Sequence, residues 1–257
     1  MSTSTLTLTG KQWQSFCKIL GGLARQCNDV DINQGIIRQR SHGSAAIFEV
    51  DLRPFFGGAT FPISNFKEKL KTLKMFKSGV TITLGQNEVM ISDGFTPYTI
   101  MNPERNYLDN KFMSQQERES MFLSVLQKPS LLIRNRIEKK MIKRIRTALS
   151  KLHRDTYEVV FAKHSASFRV EEKTGGSKQP SISVDVIEDI PLFEPTTGYA
   201  QFPSLPFKSF DCDGDMGWEL YRVNGRLFSK VYGRIGDITA TTYTRGDLNN
   251  NPPGPQI

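Results

Sequence analysis

Apolar residues recur every three or four positions in three stretches of the chain and alternate with polar ones in most of the others. From Leu131 to Leu152 (LLIRNRIEKKMIKRIRTALSKL), the residues Ile133, Ile137, Met141, Ile145, Leu149 and Leu152 share one side of a helix. From Lys11 to Cys27 the stripe is Trp13, Phe16, Cys17, Leu20, Ala24 and Cys27; Gly21-Gly22 weakens this helix and suits close packing on a sheet, and Asn28-Asp29 stops it. A shorter helix is predicted over Asn65 to Phe76, capped by Ser64, with Phe66, Leu70 and Leu73 as its apolar face. Strands are predicted at Thr5–Thr9, ended by Gly10, at Val30–Ile32 and Ile36–Arg40 around the turn Asn33-Gln34-Gly35, and at Ala45–Leu52. A hairpin joins Val80–Leu84 to Glu88–Ser92 through Gly85-Gln86-Asn87, and Phe95–Met101 adds a strand.

The stretch from Asn102 to Ser120 is polar and charged without sustained periodicity, and reads as a linker. Beyond it the order begins again. A strand at Met121–Leu126 precedes the long helix. Thr156–Ala162 and Ser167–Val170 form a hairpin across Lys163–Ala166, and Gly175-Gly176 marks a loop. Strands follow at Ser181–Ile187 and Tyr199–Phe202. Pro203 and Pro206 limit Phe202–Phe210 (FPSLPFKSF) to a turn or two of helix. Gly217–Val223 and Arg226–Tyr232 flank Asn224-Gly225, a type I′ signature, and Ile238–Thr244 is the last strand. The expected organisation is an α+β chain with an N-terminal domain at 1–104, a connector at 105–120, a second domain at 121–246 and a disordered tail at 247–257.

Charge changes the picture. The chain carries a formal net charge of +8 and has a pI near 9.4, which favours an acidic partner. The positive residues concentrate on the polar faces of the helices. In the long one these are Arg134, Arg136, Lys139, Lys140, Lys143, Arg144, Arg146 and Lys151 against Glu138 alone. In the short one they are Lys67, Lys69, Lys71, Lys74 and Lys77 against Glu68, and in the first helix Lys11, Lys18 and Arg25. Like charges at i,i+4 destabilise a helix, so a one-signed face points to a polyanion that offsets the repulsion, DNA or RNA phosphate first. A solvated basic face and an anionic membrane surface are the alternatives. The face is too uniform for base reading, which needs a short helix with Asn, Gln or Arg at chosen positions.

Composition narrows the remaining classes. Hydrophobic content of 38% with 10% aromatics is that of a folded protein, and no apolar run is long enough to cross a membrane as a helix. Cys17, Cys27 and Cys212 lack CxxC spacing, and the opening residues lack the pattern of a signal peptide; both predict an intracellular protein with reduced thiols. Asp211-Cys212-Asp213-Gly214-Asp215 faintly resembles a calcium loop but lacks the closing Glu, and a polar turn is expected. His42, His153 and His164 have no ligand spacing, and no phosphate-binding glycine motif is present, so no metal or cofactor is expected. Glu188, Asp189 and Glu194 fall in a Pro-containing segment and read as a solvated acidic loop.

The opening LTLTGKQWQSFCKIL, the strand ending in IFEVDL, the helix ISNFKEKLKTLKMF, the hairpin VTITLGQNEVMIS and the connector with PERNYLDN resemble the sliding-clamp family. These are DNA polymerase processivity factors such as proliferating cell nuclear antigen and the phage clamps. The basic helix followed by TYEVVFAKHSASFRV is similar to part of a clamp's second domain. The resemblance implies two topologically similar clamp-type domains, with antiparallel sheets outside and basic helices on the DNA-facing side. It implies a homotrimeric ring around duplex DNA, no catalysis, and a replicative DNA polymerase and a clamp loader as partners. It places DNA-binding residues at Lys11, Lys18 and Arg25, at Lys67, Lys71, Lys74 and Lys77, and at Arg136, Lys139, Lys140, Lys143, Arg144 and Lys151; Lys208 is the one cation of the weak fourth helix. It places partner docking near His42, Tyr107, Leu108, Phe112 and Tyr243, where the plainer reading of Tyr107, Leu108 and Phe112 is that they pin the linker. Competing expectations are an open monomeric or dimeric DNA-binding accessory factor for replication or transcription, a metal-dependent nuclease and a β-rich virion structural protein.

Overall fold

The computed structural model describes residues 4–41, 46–85, 87–102, 130–171 and 183–249. Two compact units emerge: Met1–Ser120 with Ser209–Asp213 and Arg234–Ala240, and Met121–Lys208 with Gly214–Gly233 and Thr241–Ile257.

In the first unit, β1 (Ser4–Leu8) leads into α1 (Gly10–Leu23), then β2 (Val30–Asn33), β3 (Ile36–Arg40), β4 (Ala46–Asp51), the single turn α2 (Arg53–Phe56), β5 (Phe61–Ile63), α3 (Phe66–Leu73), β6 (Val80–Leu84), β7 (Glu88–Ser92) and β8 (Pro97–Met101). The strands form two antiparallel sheets, ordered β1-β6-β7-β8 and β5-β2-β3-β4. The β2–β3 turn is made by Gln34 and Gly35, both at positive φ, as a two-residue hairpin on right-twisted strands requires. The core gathers Trp13, Phe16, Phe48, Phe56 and Phe66, with Phe16 edge-on to Phe56 at 5.0 Å and Phe48 edge-on to Phe210 at 5.8 Å.

The second unit runs β9 (Ser130–Ile137), α4 (Lys139–Lys151), β10 (Thr156–Glu171), β11 (Ser183–Pro203), α5 (Leu205–Ser209), β12 (Met216–Val223), β13 (Arg226–Ile235) and β14 (Ile238–Asn249). Its strand order is β9-β12-β13-β14, with β10 and β11 paired beside it. The pairing repeats that of the first unit. The strand before α1 joins the strand after α3, β1 to β6, as the strand before α4 joins the strand after α5, β9 to β12. The strand after α1 joins the strand before α3, β2 to β5, as the strand after α4 joins the strand before α5, β10 to β11. The duplication lies in hydrogen-bond topology rather than in letters.

Several expectations are corrected. The stretch from Leu131 is not one helix: Ser130–Ile137 is strand β9, paired with β12, and the helix starts only at Lys139. Ile133 and Ile137 fit either period. In the strand they face inward with Asn135 between them, while Arg134 and Arg136 face out. In α4 the buried residues are Ile142, Ile145 and Leu149, and Met141 is half-buried. Gly10 does not end β1 but starts α1, because Thr9 and Gln12 form a reciprocal capping box. Ser64 does not cap α3; its hydroxyl donates to Asn102 Oδ1 at 3.2 Å, and the N-cap is Asn65 in the left-handed region. Lys163–Ala166 is not a hairpin loop. β10 runs through it with register shifts, at Lys163 of positive φ, and β11 runs through Glu188, Asp189 and Glu194. β14 continues past Gly246 to Asn249, which pairs with Tyr199. The strand expected at Met121–Leu126, the connector at 105–120, the Gly175-Gly176 loop and positions 250–257 lie outside the described residues.

Gly22 is the tightest point of α1. A Cβ there would stand 2.2 Å from the carbonyl oxygen of Ser209, which belongs to the same unit, so the close approach is to that backbone and not to a sheet. Gly22→Ala is expected to lower the stability of the first unit by about 1–3 kcal/mol, read from its denaturant midpoint. An unchanged midpoint would show that α1 shifts without strain.

Candidate nucleic-acid interface

On α1 the buried side is Trp13, Phe16, Cys17, Ile19, Leu20 and Leu23, which leaves Lys11 and Lys18, seven residues apart, on the exposed face. The helix is fixed against the end of α3 by Trp13, whose Nε1 donates to the Leu73 carbonyl at 2.9 Å. Arg25 is exposed but lies beyond the C-cap Ala24, in the turn that follows α1 rather than on it.

On α3, Lys67 and Lys71 are exposed while Phe66 and Leu73 are buried. Lys69 turns inward and donates to the Ser64 carbonyl at 2.7 Å; burial lowers its pKa from the usual lysine value. The helix ends at Leu73, so Lys74 is its C-cap and Lys77 stands in the following loop. Both still join the basic group. Lys18, Lys74 and Lys77 line one cavity of about 300 Å³ over Trp13, Cys17 and Phe76. Burial pushes the Cys17 thiol up to about 12, so it stays protonated at neutral pH.

On α4, Lys139, Lys140, Lys143, Arg144 and Lys151 are exposed over the buried Ile142, Ile145 and Leu149. Arg146 differs: it is half-buried, and its Nε donates to the Phe207 carbonyl at 2.7 Å. The first turn of α4 carries two lysines and no acid, against the preference of the positive helix end. Asp215 compensates. Its Oδ1 accepts the Lys139 amide at 2.9 Å and its Oδ2 accepts Arg136 Nε at 2.8 Å. The Lys139 amide first, and then Arg136, hold the Asp215 carboxyl below the usual carboxylate range. Arg136 therefore reaches this group from the end of β9, not from the helix. Arg136, Glu138, Lys139, Lys140 and Asp215 border an open depression of about 650 Å³, and Lys140 pairs with Glu138 at 2.8 Å.

The fourth element adds no outward charge. α5 is five residues long, and Lys208 is held by Asp155 Oδ1 at 2.9 Å and the Arg154 carbonyl at 2.8 Å. Of the docking residues, only Tyr243 is described, half-buried on β14; His42, Tyr107, Leu108 and Phe112 lie outside the described residues.

Two site residues escaped the sequence reading. Asp213 and Asp215 read there as a polar turn, yet Asp213 pairs with Lys18 at 2.7 Å and Asp215 with Arg136. Their partners lie 195 and 79 positions away in sequence, beyond any local pattern. Among the described residues, no group of three or more His, Cys, Asp or Glu is placed to hold a metal ion, and no helix is long and apolar enough to cross a membrane.

No family model and no curated protein matches the chain. Solved structures do match. One is proliferating cell nuclear antigen (PCNA) of A. fulgidus, solved with the C-terminal region of FEN-1 bound. It has a TM-score of 0.61 and 12% identity, over 96% of this chain and 99% of that one. Another is the PCNA2–PCNA3 complex of Sulfolobus tokodaii, with a TM-score of 0.61 and 11% identity, over 95% of this chain and 99% of the other. At such identity the likeness establishes the fold, and the fold is that of the clamp-type proteins.

Proposed function

We propose that this chain, built on the clamp-type fold, is a non-enzymatic subunit of a DNA sliding clamp, which holds duplex DNA through sequence-independent phosphate contacts and tethers a replicative polymerase. The observation that carries the reading is the one-signed exposed face of α4, with Lys139, Lys140, Lys143, Arg144 and Lys151, in a unit whose pairing repeats that of the unit bearing Lys11, Lys18, Lys67, Lys71, Lys74 and Lys77. Point charges on helix faces hold a duplex without fixing it in register, so the protein can move along it. Two such units per chain give six in a ring of three copies. Polymerase and loader would dock around His42, Tyr107, Leu108, Phe112 and Tyr243.

Solution mass by light scattering at moderate salt, followed by retention on circular against linearised DNA, tests this. A species near three times the 29.1 kDa of one chain, trapped on circles and lost from linear ends, is expected. A second reading, an open monomeric or dimeric holder of DNA, is favoured by the net charge of +8 and predicts a smaller mass with equal loss from both templates. A monomer without salt-dependent binding to duplex DNA would end both.

A further inference from the structure

The turn Asp213-Gly214-Asp215 carries two carboxylates that are used in the same way. Asp213 accepts the Gly236 amide on Oδ2 at 2.6 Å and holds the Lys18 ammonium on Oδ1 at 2.7 Å. Asp215 accepts the Lys139 amide on Oδ1 at 2.9 Å and holds Arg136 on Oδ2 at 2.8 Å. In each case one oxygen is anchored on a backbone amide and the other faces a cation of the candidate interface. Each pair lies within its own unit. Anchoring matters because an exposed ion pair usually gains little, having to order two mobile side chains at once. Here the acid is already fixed and only the cation must settle. The cations stay accessible, with 38% of the Lys18 side chain and 82% of the Arg136 side chain exposed. Each can therefore leave its carboxylate for a phosphate without leaving a charge buried.

We infer that Asp213 and Asp215 are built-in competitors of the DNA phosphate, each occupying one cation of the basic face until duplex displaces it. The inference rests on the duplex-holding reading above. Its physical content is an exchange of ion pairs. When a phosphate takes Lys18 or Arg136, the ion pair with the carboxylate is given up, so the gain of that contact is reduced by what the pair was worth, and salt, which weakens both the pair and the phosphate contact, changes their difference less than it changes either. Contacts to these two residues therefore add little affinity and little salt dependence, and the duplex is held more loosely than the number of lysines and arginines implies.

The test is a salt titration of duplex binding with the full chain, comparing wild type, Asp213→Asn, Asp215→Asn and their combination. Asn keeps a carbonyl oxygen for the Gly236 or Lys139 amide and turns an uncharged amide toward the cation, so the anchor survives. Each single change is expected to tighten binding about threefold, and the pair about tenfold, within the range an exposed ion pair withholds. The slope of log K against log salt should steepen with each substitution by a fraction of one unit, because salt no longer weakens a competing pair. Glu88→Gln, an exposed residue on β7, removes the same unit of charge away from these contacts and should change neither quantity to that extent. A cycle guards against folding effects. Lys18→Gln should weaken binding less than twofold in wild type but about threefold in the Asp213→Asn background. Asn variants that match Glu88→Gln, or a Lys18→Gln effect equal in both backgrounds, would overturn the inference while leaving the duplex-holding reading intact. A wild-type chain with no salt-dependent binding would overturn both.

Discussion

Replacing Lys139, Lys140, Lys143 and Arg144 together by Ala is expected to lower affinity for duplex DNA by about 100- to 1,000-fold near 0.1 M salt and to flatten the salt slope by about 3 to 4. Each phosphate neutralised on B-DNA contributes close to one released ion, so Lys139, Lys143 and Arg144, with Lys140 shared with Glu138, should read as three to four lost increments of slope. All four side chains are exposed, and Ile142, Ile145 and Leu149, which seat the helix, are untouched. Ala is the best helix former, and the substitution removes like-charge repulsion along the face, so the thermal midpoint should hold or rise. Arg146→Ala supplies the contrast. Its guanidinium is half-buried and bonded to the Phe207 carbonyl, so that change should lower stability and leave the salt slope nearly as it was. Binding isotherms across a salt series measure the slope. A quadruple variant with wild-type slope would remove α4 from the DNA contact.

The basic face of α4 was legible because its charge is dense and one-signed, but its length was not. Ile133 and Ile137 lie four apart, a spacing that satisfies a helix stripe and a strand face alike. What decides between them is the pairing of β9 with β12, where Asn135 meets Trp218 and Arg134 meets Glu219 more than eighty residues on. Those long-range partners leave no trace in a local window. The same blindness split β10 in two. The polar run Lys163–Ala166 looks like a turn, but the opposing residues of β11 absorb it as a register shift, and the strand continues. β5 was missed because three residues, Phe61–Ile63, are too few to show a period.

Hairpins were read well where the turn chemistry is strong. Asn224 and Gly225 both take positive φ, and the register closes on Val223 opposite Arg226. At the candidate interface, the lysines of α1, α3 and α4 followed from helical spacing. The placement of Lys74 and Lys77 beside Lys18 did not, since it depends on how α1 is fixed to the end of α3 through Trp13. The two acids of the 213–215 turn were visible as letters only. Their meaning is set by two cations and two amides distant in the chain.

Phe168→Ala should destabilise the second unit by about 3–5 kcal/mol, the largest loss expected from a single substitution here. Phe168 is fully buried and stacks on Tyr157 at 4.4 Å with an interplanar angle of 11°. Phe207 and Trp218 meet it edge-on at 5.4 and 5.7 Å. Removing the ring opens a cavity bounded by aromatic groups that cannot collapse into it, because they are tied to one another. Tyr157 Oη and Trp218 Nε1 both bond to Ser229 Oγ, at 2.7 and 3.0 Å. A site that relaxes poorly retains the cavity term in full. Phe207 also supplies the carbonyl that holds Arg146, so the cluster supports α4 from beneath. Phe168→Leu, which refills most of the volume, should recover more than half of the loss. Urea unfolding followed through tryptophan fluorescence, with Trp218 in the cluster itself, measures both. The DNA salt slope of the folded Phe168→Leu protein should equal that of wild type, because the substitution changes the support of the basic face and none of its charges. A reduced slope in that variant would mean that the geometry of α4, and not its charge alone, sets the hold on DNA.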